Sequence, residues 1–121
     1  MRIIGQVEPG ELAALFRHAR AFIMPSLYEG FGLPVVEAMA CGCPVVASTG
    51  GSLAEVAGEG AQVFNPADIA GMAAAVAKLV MDEEESRKWQ AAALRRAADF
   101  SWEKAARETL AVYHRAYGGN Q

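Results

Sequence analysis

The order of apolar patterns predicts an α/β fold: a parallel, Rossmann-like sheet with flanking helices. Short apolar runs stand at residues 2–7, 21–24, 44–47 and 61–64, and the first three intervals carry helical patterns. Strands that alternate with helices pair in parallel through right-handed crossovers. Size and composition agree. A chain of 121 residues makes one domain, 1–121. At 53% hydrophobic and 21% charged residues it can bury a core, which excludes a disordered tail. A net charge of -3 lacks the basic footprint of a nucleic-acid-binding domain, so no nucleic-acid partner is expected.

Each element has its own punctuation. The 2–7 run reads as a strand ended by Glu8-Pro9-Gly10. Over 11–18, Leu12, Leu15, Phe16 and Ala19 take helical spacing. Arg17, His18 and Arg20 follow, where cations suit the negative end of a helix dipole. Residues 21–24 form a short buried strand stopped by Pro25. From 26 to 33 there are two glycines and no periodicity, so this is a loop. Pro34 suits the first position of a helix, where its missing N–H costs nothing. That helix runs to about Cys41, and Gly42 supplies a left-handed cap.

Residues 44–47 are a third strand, 48–51 a turn, 53–57 a short helix and 61–64 a fourth strand. Three helices then follow without a strand between them. Asp68 caps the first, whose apolar face is Ile69, Met72, Ala73, Val76 and Val80. The acidic residues 82–85 open the second, and Arg95 and Arg96 close it, matching the dipole. Glu83-Glu84-Glu85 is therefore a solvated helix start rather than a ligand site. Ser101 caps the last helix, which runs from Trp102 to about Tyr117 and is ended by Gly118.

No apolar run reaches the ~18 residues of a membrane span. The start, Met1-Arg2-Ile3-Ile4-Gly5, lacks the apolar region of a secretory signal, so a cytoplasmic protein is expected. Cys41 and Cys43 flank Gly42; with no further Cys and no paired His, they read as two reduced thiols and not as a zinc site. No metal ligand set is expected.

In such sheets ligands bind at the carboxyl ends of strands, which draws attention to the loop after Met24. Gly30 and Gly32 let the backbone approach a ligand closely. The helix beginning at Pro34 aims its positive dipole end at the same place, with N–H donors on Leu33, Val35 and Val36. Those are the parts of a phosphate cradle. Glu29 and Glu37 flank it. Ionised carboxylates only accept hydrogen bonds, and sugar hydroxyls donate them. A ligand with phosphates in the middle and hydroxyl-bearing rings at both ends fits: a nucleoside diphosphate sugar. Spacing alone leaves an ordinary reading equally open. The full dinucleotide fingerprint fails at Val35, Glu37 suits a helix start, and Glu29 suits a surface loop.

The stretch Glu29-Gly30-Phe31-Gly32-Leu33-Pro34-Val35-Val36-Glu37 resembles the E-x7-E motif of retaining glycosyltransferases of family 4. Similarity continues through Ala38-Met39-Ala40-Cys41-Gly42-Cys43-Pro44-Val45-Val46-Ala47-Ser48, Gly51, Glu55, Val56, Asn65-Pro66 and Phe100-Ser101-Trp102. The resemblance implies the GT-B fold, two Rossmann-like domains with the active site between them, of which this chain is part of the second. It implies a nucleotide-sugar donor, an unknown acceptor and no cofactor. Glu29 is implied as catalytic, holding donor-sugar hydroxyls near the reacting centre, and Glu37 as the ribose ligand. Phe31, Gly32 and Leu33, with Gly30 in the same donor-binding loop, would lend backbone N–H groups to sugar and diphosphate. Thr49-Gly50-Gly51 either lines the same cleft or is a plain turn.

Measured against that family, the acceptor domain and the basic residues for the leaving diphosphate are absent, so a fragment inactive alone is expected. The rivals are a non-enzymatic remnant that binds nucleotide or only self-associates, and a glycoside hydrolase using Glu29 and Glu37 as its acid/base pair. The family's strand order further implies that 2–7 and 21–24 lose the two strands that lie between them. Either 2–7 closes onto 21–24 within one chain, or two chains join there. A dimer is expected, because the last helix leaves Trp102, Val112 and Tyr113 uncovered.

Overall fold

The computed structural model describes residues 1–118. Its centre is β2 (Val45–Ser48), flanked by β1 (Phe22–Met24) and β3 (Gln62–Phe64) in one parallel sheet of order β1-β2-β3. Phe22 stands opposite Val45, and Val46 opposite Gln62. All four β2 residues are buried, as a central parallel strand requires. Side chains alternate across it. Val45 and Ala47 enter a core with Val35, Met39, Leu53 and Ala93, while Val46 enters another with Met72, Ala75 and Leu79. Each buried Val or Leu is worth roughly 1.5–3 kcal/mol.

Residues 2–7 are not a strand. They neither pair with β1 nor sit in the core, and Ile3 is 85% exposed. Strand-like composition cannot hold a segment whose backbone groups have no ladder to join. The in-chain closure, one of the two outcomes open from the sequence, is therefore not found, and among the described residues β1 is paired on one side only. Pro9-Gly10, expected to end that strand, instead opens α1 (Pro9–His18). Pro9 occupies the first turn, and the Glu8 backbone N–H donates to Glu11 Oε2 at 3.2 Å. Phe16 buries the helix against Phe22, edge to face with 5.1 Å between ring centroids.

Two further helices cross between the strands: α2 (Leu33–Ala40) and the short α3 (Leu53–Ala57), which runs into a 3-10 turn at Gly58–Gly60. Gly42 follows α2 with φ +73°, the left-handed stop expected there. The adjoining Cys43 is buried among apolar groups; burial first, then neighbouring Cys41, push its thiol up to about 11. It is an uncharged core side chain at neutral pH, and both cysteines are free.

The chain then continues in α4 (Ile69–Met81), α5 (Glu83–Ala97) and α6 (Trp102–Gly118). Asp68 and Asp82 cap the first two, accepting from the N–H groups of Gly71 and Glu85 at 2.9 and 3.0 Å. The buried face of α4 matches the expected one only in part. Met72 is buried and Val76 half-buried as expected, joined by Ala75 and Leu79, whereas Ile69, Ala73 and Val80 are exposed. Almost all its residues are apolar, so the pattern does not choose a face; contact with β2, β3 and α5 does. The acidic start of α5 is structural. Glu85 accepts from Trp89 Nε1 at 2.9 Å and pairs with Lys78 at 3.2 Å, which hold its carboxyl below the usual range.

Helix α6 begins at the expected Ser101 cap, whose Oγ accepts from the Lys104 N–H at 3.0 Å. Every described residue of α6 is exposed, including Trp102 at 81% and Tyr113 at 67%. Among the described residues, no helix is long and apolar enough to cross a membrane.

Candidate functional site

After β1 the chain enters the glycine-bearing loop and is fastened to the turn between β2 and α3. Ser48, buried at the end of β2, donates its hydroxyl to the Ser26 carbonyl and accepts from the Gly50 N–H at 3.3 Å. Ser52 reaches from the other side. Its N–H donates to the Glu29 carbonyl at 3.1 Å, and its Oγ to the Gly30 carbonyl at 2.8 Å. The Ser26, Glu29 and Gly30 carbonyls of the loop thus find their partners in a turn 22 or 23 residues further on.

Contact at this seam is backbone to backbone. A Cβ on Gly50 would stand 2.7 Å from the Leu27 carbonyl carbon, and one on Gly51 2.8 Å from the Glu29 nitrogen. Gly51 also has φ +65°. Both positions therefore require glycine. Thr49-Gly50-Gly51, for which lining and plain-turn readings were open, is the platform on which the loop rests.

The loop then feeds into α2. Gly32 is its N-cap residue, with φ +88°, and a Cβ there would meet Leu53 at 2.5 Å. One expectation fails at this point. The Val35 N–H is not a free donor, since it closes the first turn onto the Gly32 carbonyl at 2.9 Å. Pro34 has no N–H to offer.

The two carboxylates occupy different surroundings. Glu29 is half-buried, and its Oε1 accepts from Ser26 Oγ at 2.9 Å. Glu37 is exposed, one turn into α2. It lines a groove of about 560 Å³ between α2 and the start of α6, with Phe31, Leu33, Phe100 and Trp102 in the walls. Glu29 is not in those walls. Of the sequence-predicted residues, Phe31, Leu33 and Glu37 share the groove. Gly30 and Glu29 face the serine seam through their carbonyls, and Gly32 is buried against Leu53.

Sequence reasoning missed Ser26, Ser48 and Ser52. A serine closing an apolar strand and another opening the next helix were a signal, since a buried hydroxyl must find a partner. Phe100 was also missed as a neighbour of Phe31; their centroids lie 6.1 Å apart at 86°.

A parallel α/β sheet with a glycine-bearing loop at the carboxyl end of a strand defines a Rossmann-like domain, the class that binds ligands at such loops. The chain belongs to the glycosyl transferases group 1, whose family model matches residues 1–96. It is 46% identical over 110 residues to the MMP alpha-(1->4)-mannosyltransferase of Mycolicibacterium hassiacum, covering 88% of this chain and 27% of that protein. It is 40% identical over 113 residues to the O-antigen chain mannosyltransferase B of Escherichia coli, covering 93% and 30%. Among solved structures, sucrose-phosphate synthase from Thermosynechococcus elongatus superposes with a TM-score of 0.84 at 31% identity, over 97% of this chain and 30% of that one. The match is to the C-terminal domain of a GT-B fold, as the resemblance implied. The chain spans about 30% of the length of these relatives.

Proposed function

We propose that this chain supplies the donor side of a retaining hexosyltransferase that uses a nucleoside diphosphate sugar, the acceptor side lying in a longer protein. The observation that carries the reading is the loop's construction. A backbone locked on Gly50 and Gly51 leads directly into a helix N-terminus, with one carboxylate before it and one after. Fixed dipoles of this kind stabilise a departing diphosphate without reorganising during the reaction. Glu29, oriented by Ser26, accepts from hydroxyls of the donor sugar beside the bond that breaks. Glu37 accepts from the ribose. Backbone N–H groups of Phe31, Gly32 and Leu33 face the sugar and diphosphate between them.

The hydrolase reading loses support. Hydrolysis places two carboxyls across one bond, but only Glu37 of the pair lines the groove. A helix end suited to phosphate also has no part in that reaction. Titrating the chain with GDP-mannose, UDP-glucose and ADP-glucose tests the proposal. At least one should bind, with Kd on the order of millimolar, shifting NMR signals of residues 29–37, and Glu37→Ala should abolish the shift. The chain alone should form no transfer product with simple acceptors, since positioning of the second substrate is a large part of catalysis. No binding by any of the three would refute the donor-site reading, and robust turnover would refute the need for a longer protein.

Isolated, the chain is proposed to dimerise. The open side of β1, where Ile23 is exposed, and the stripe Leu110, Tyr113 and Tyr117 on α6 are both unpartnered among the described residues. Sedimentation at micromolar concentration should show a concentration-dependent dimer; a monomer at all concentrations would exclude it.

A further inference from the structure

Arg96 lies outside the motif, yet its guanidinium is engaged on several sides. Nε donates to the Val56 carbonyl at 3.0 Å, Nη2 to the Glu55 carbonyl at 2.8 Å, and Nη1 to Asp99 Oδ2 at 2.8 Å. The group also lies over the Phe100 ring, 4.7 Å from its centroid. Glycines make the room. A Cβ at Gly58 would stand 2.8 Å from Arg96 Nε, and one at Gly60 2.8 Å from Arg96 Cγ. The two carbonyls belong to the last turn of α3, where helical carbonyls lack intrahelical partners.

Two routes lead from this side chain to the loop. One runs through α3, whose N-cap is Ser52, the residue that holds the carbonyls of Glu29 and Gly30. The other runs through Phe100, which meets Phe31 edge to face. Phe31 sits between two glycines, so its own backbone does little to restrict it. The backbone is held on either side, at the Gly30 and Gly32 carbonyls, and at Phe31 itself the side-chain contact with Phe100 adds to that order.

We propose that Arg96 and Phe100 form a positioning pair for this site: the stacked guanidinium fixes the Phe100 ring, and the ring fixes Phe31 and the loop apex. Arg96 lines the same groove as Phe31 and Glu37 and acts on the loop through its contacts. Three of its five donors are committed, and Asp99 offsets its charge, so it is not the cation for a diphosphate. The consequence for donor binding rests on the reading of the 29–37 loop given above; the mechanical link does not.

Amide hydrogen exchange on the 121-residue chain tests the link. The N–H groups of Val35 and Ser52 report the loop, being bonded to the Gly32 and Glu29 carbonyls. That of Leu79, deep in α4, reports the core. Phe100→Leu removes the ring, and Arg96→Lys removes the planar stack and the forked donors. Each should speed exchange at Val35 and Ser52 about tenfold relative to Leu79. Phe100→Tyr keeps the ring and should leave all three rates unchanged. Unaltered rates at Val35 and Ser52, or equal acceleration at all three, would overturn the proposal; should Arg96→Lys fail to fold, the Phe100 variants decide it. GDP-mannose titration of the same variants separates the two layers. Weaker binding by Phe100→Leu with Leu79 exchange unchanged supports both. Loop-specific exchange in a chain that binds no nucleotide sugar supports the link and removes the donor reading.

Discussion

Alanine at Gly50 is expected to destabilise the chain by about 3 kcal/mol or more, the range reached when an added atom meets a wall that cannot move. The wall is the backbone of Ser26 and Leu27, with the Leu27 carbonyl oxygen 2.7 Å from the new Cβ. A flexible side chain would swing aside; this backbone, its Ser26 carbonyl held by the buried Ser48 hydroxyl, does not. Gly51→Ala should be comparable. It meets the Glu29 backbone, with the nitrogen at 2.8 Å and the carbonyl carbon at 3.1 Å, and it places a Cβ at φ +65°. Asparagine tolerates that φ but carries the same Cβ, so Gly51→Asn should not rescue it. Gly10→Ala is the control: it lies in the first turn of α1 with nothing within 4 Å, and it should stabilise the helix by about 0.5–1 kcal/mol. Urea midpoints at constant m-value measure all four. A Gly50→Ala midpoint equal to that of the parent chain would mean the loop is not seated on this turn.

In a full-length enzyme carrying this chain, Glu29→Gln should lower kcat by about 100-fold with little change in donor KM, the loss seen when a group stabilises the transition state and not the ground state. Glutamine keeps the shape and removes the charge, so the effect isolates electrostatics beside the breaking bond. Ser26→Ala, which frees the Glu29 carboxylate from its 2.9 Å hydrogen bond, should reduce kcat less. With Glu37 as the ribose ligand proposed above, Glu37→Ala should do the opposite of Glu29→Gln, raising donor KM about tenfold and sparing kcat, because such a contact is the same in ground and transition states. Steady-state kinetics with varied donor distinguishes the two patterns. Unchanged parameters in both variants would return Glu29 to a loop carboxylate and Glu37 to a helix-start carboxylate.

The sequence by itself determined the elements that carry strong local signals. The left-handed stop at Gly42, the caps at Asp68 and Ser101, the acidic opening of α5, and the run 44–47, displaced by one residue to Val45–Ser48, all follow from chemistry within a few positions. The motif from Glu29 to Glu37 was legible for the same reason, since its glycines, proline and carboxylates are contiguous. Three-dimensional packing decided the rest. Residues 2–7 have the composition of a strand, yet a strand exists only where a neighbour accepts its hydrogen bonds, and none is beside them. The face that α4 buries was undetermined in a helix apolar on nearly every side, and contact with the sheet and α5 chose Met72, Ala75 and Leu79. The seating of the loop on Gly50 and Gly51, and the line from Arg96 through Phe100 to Phe31, join residues about 20 to 70 positions apart. Helical and strand periodicities report neighbours along the chain; which distant segment fills the space above a glycine is set by where the sheet brings the backbone.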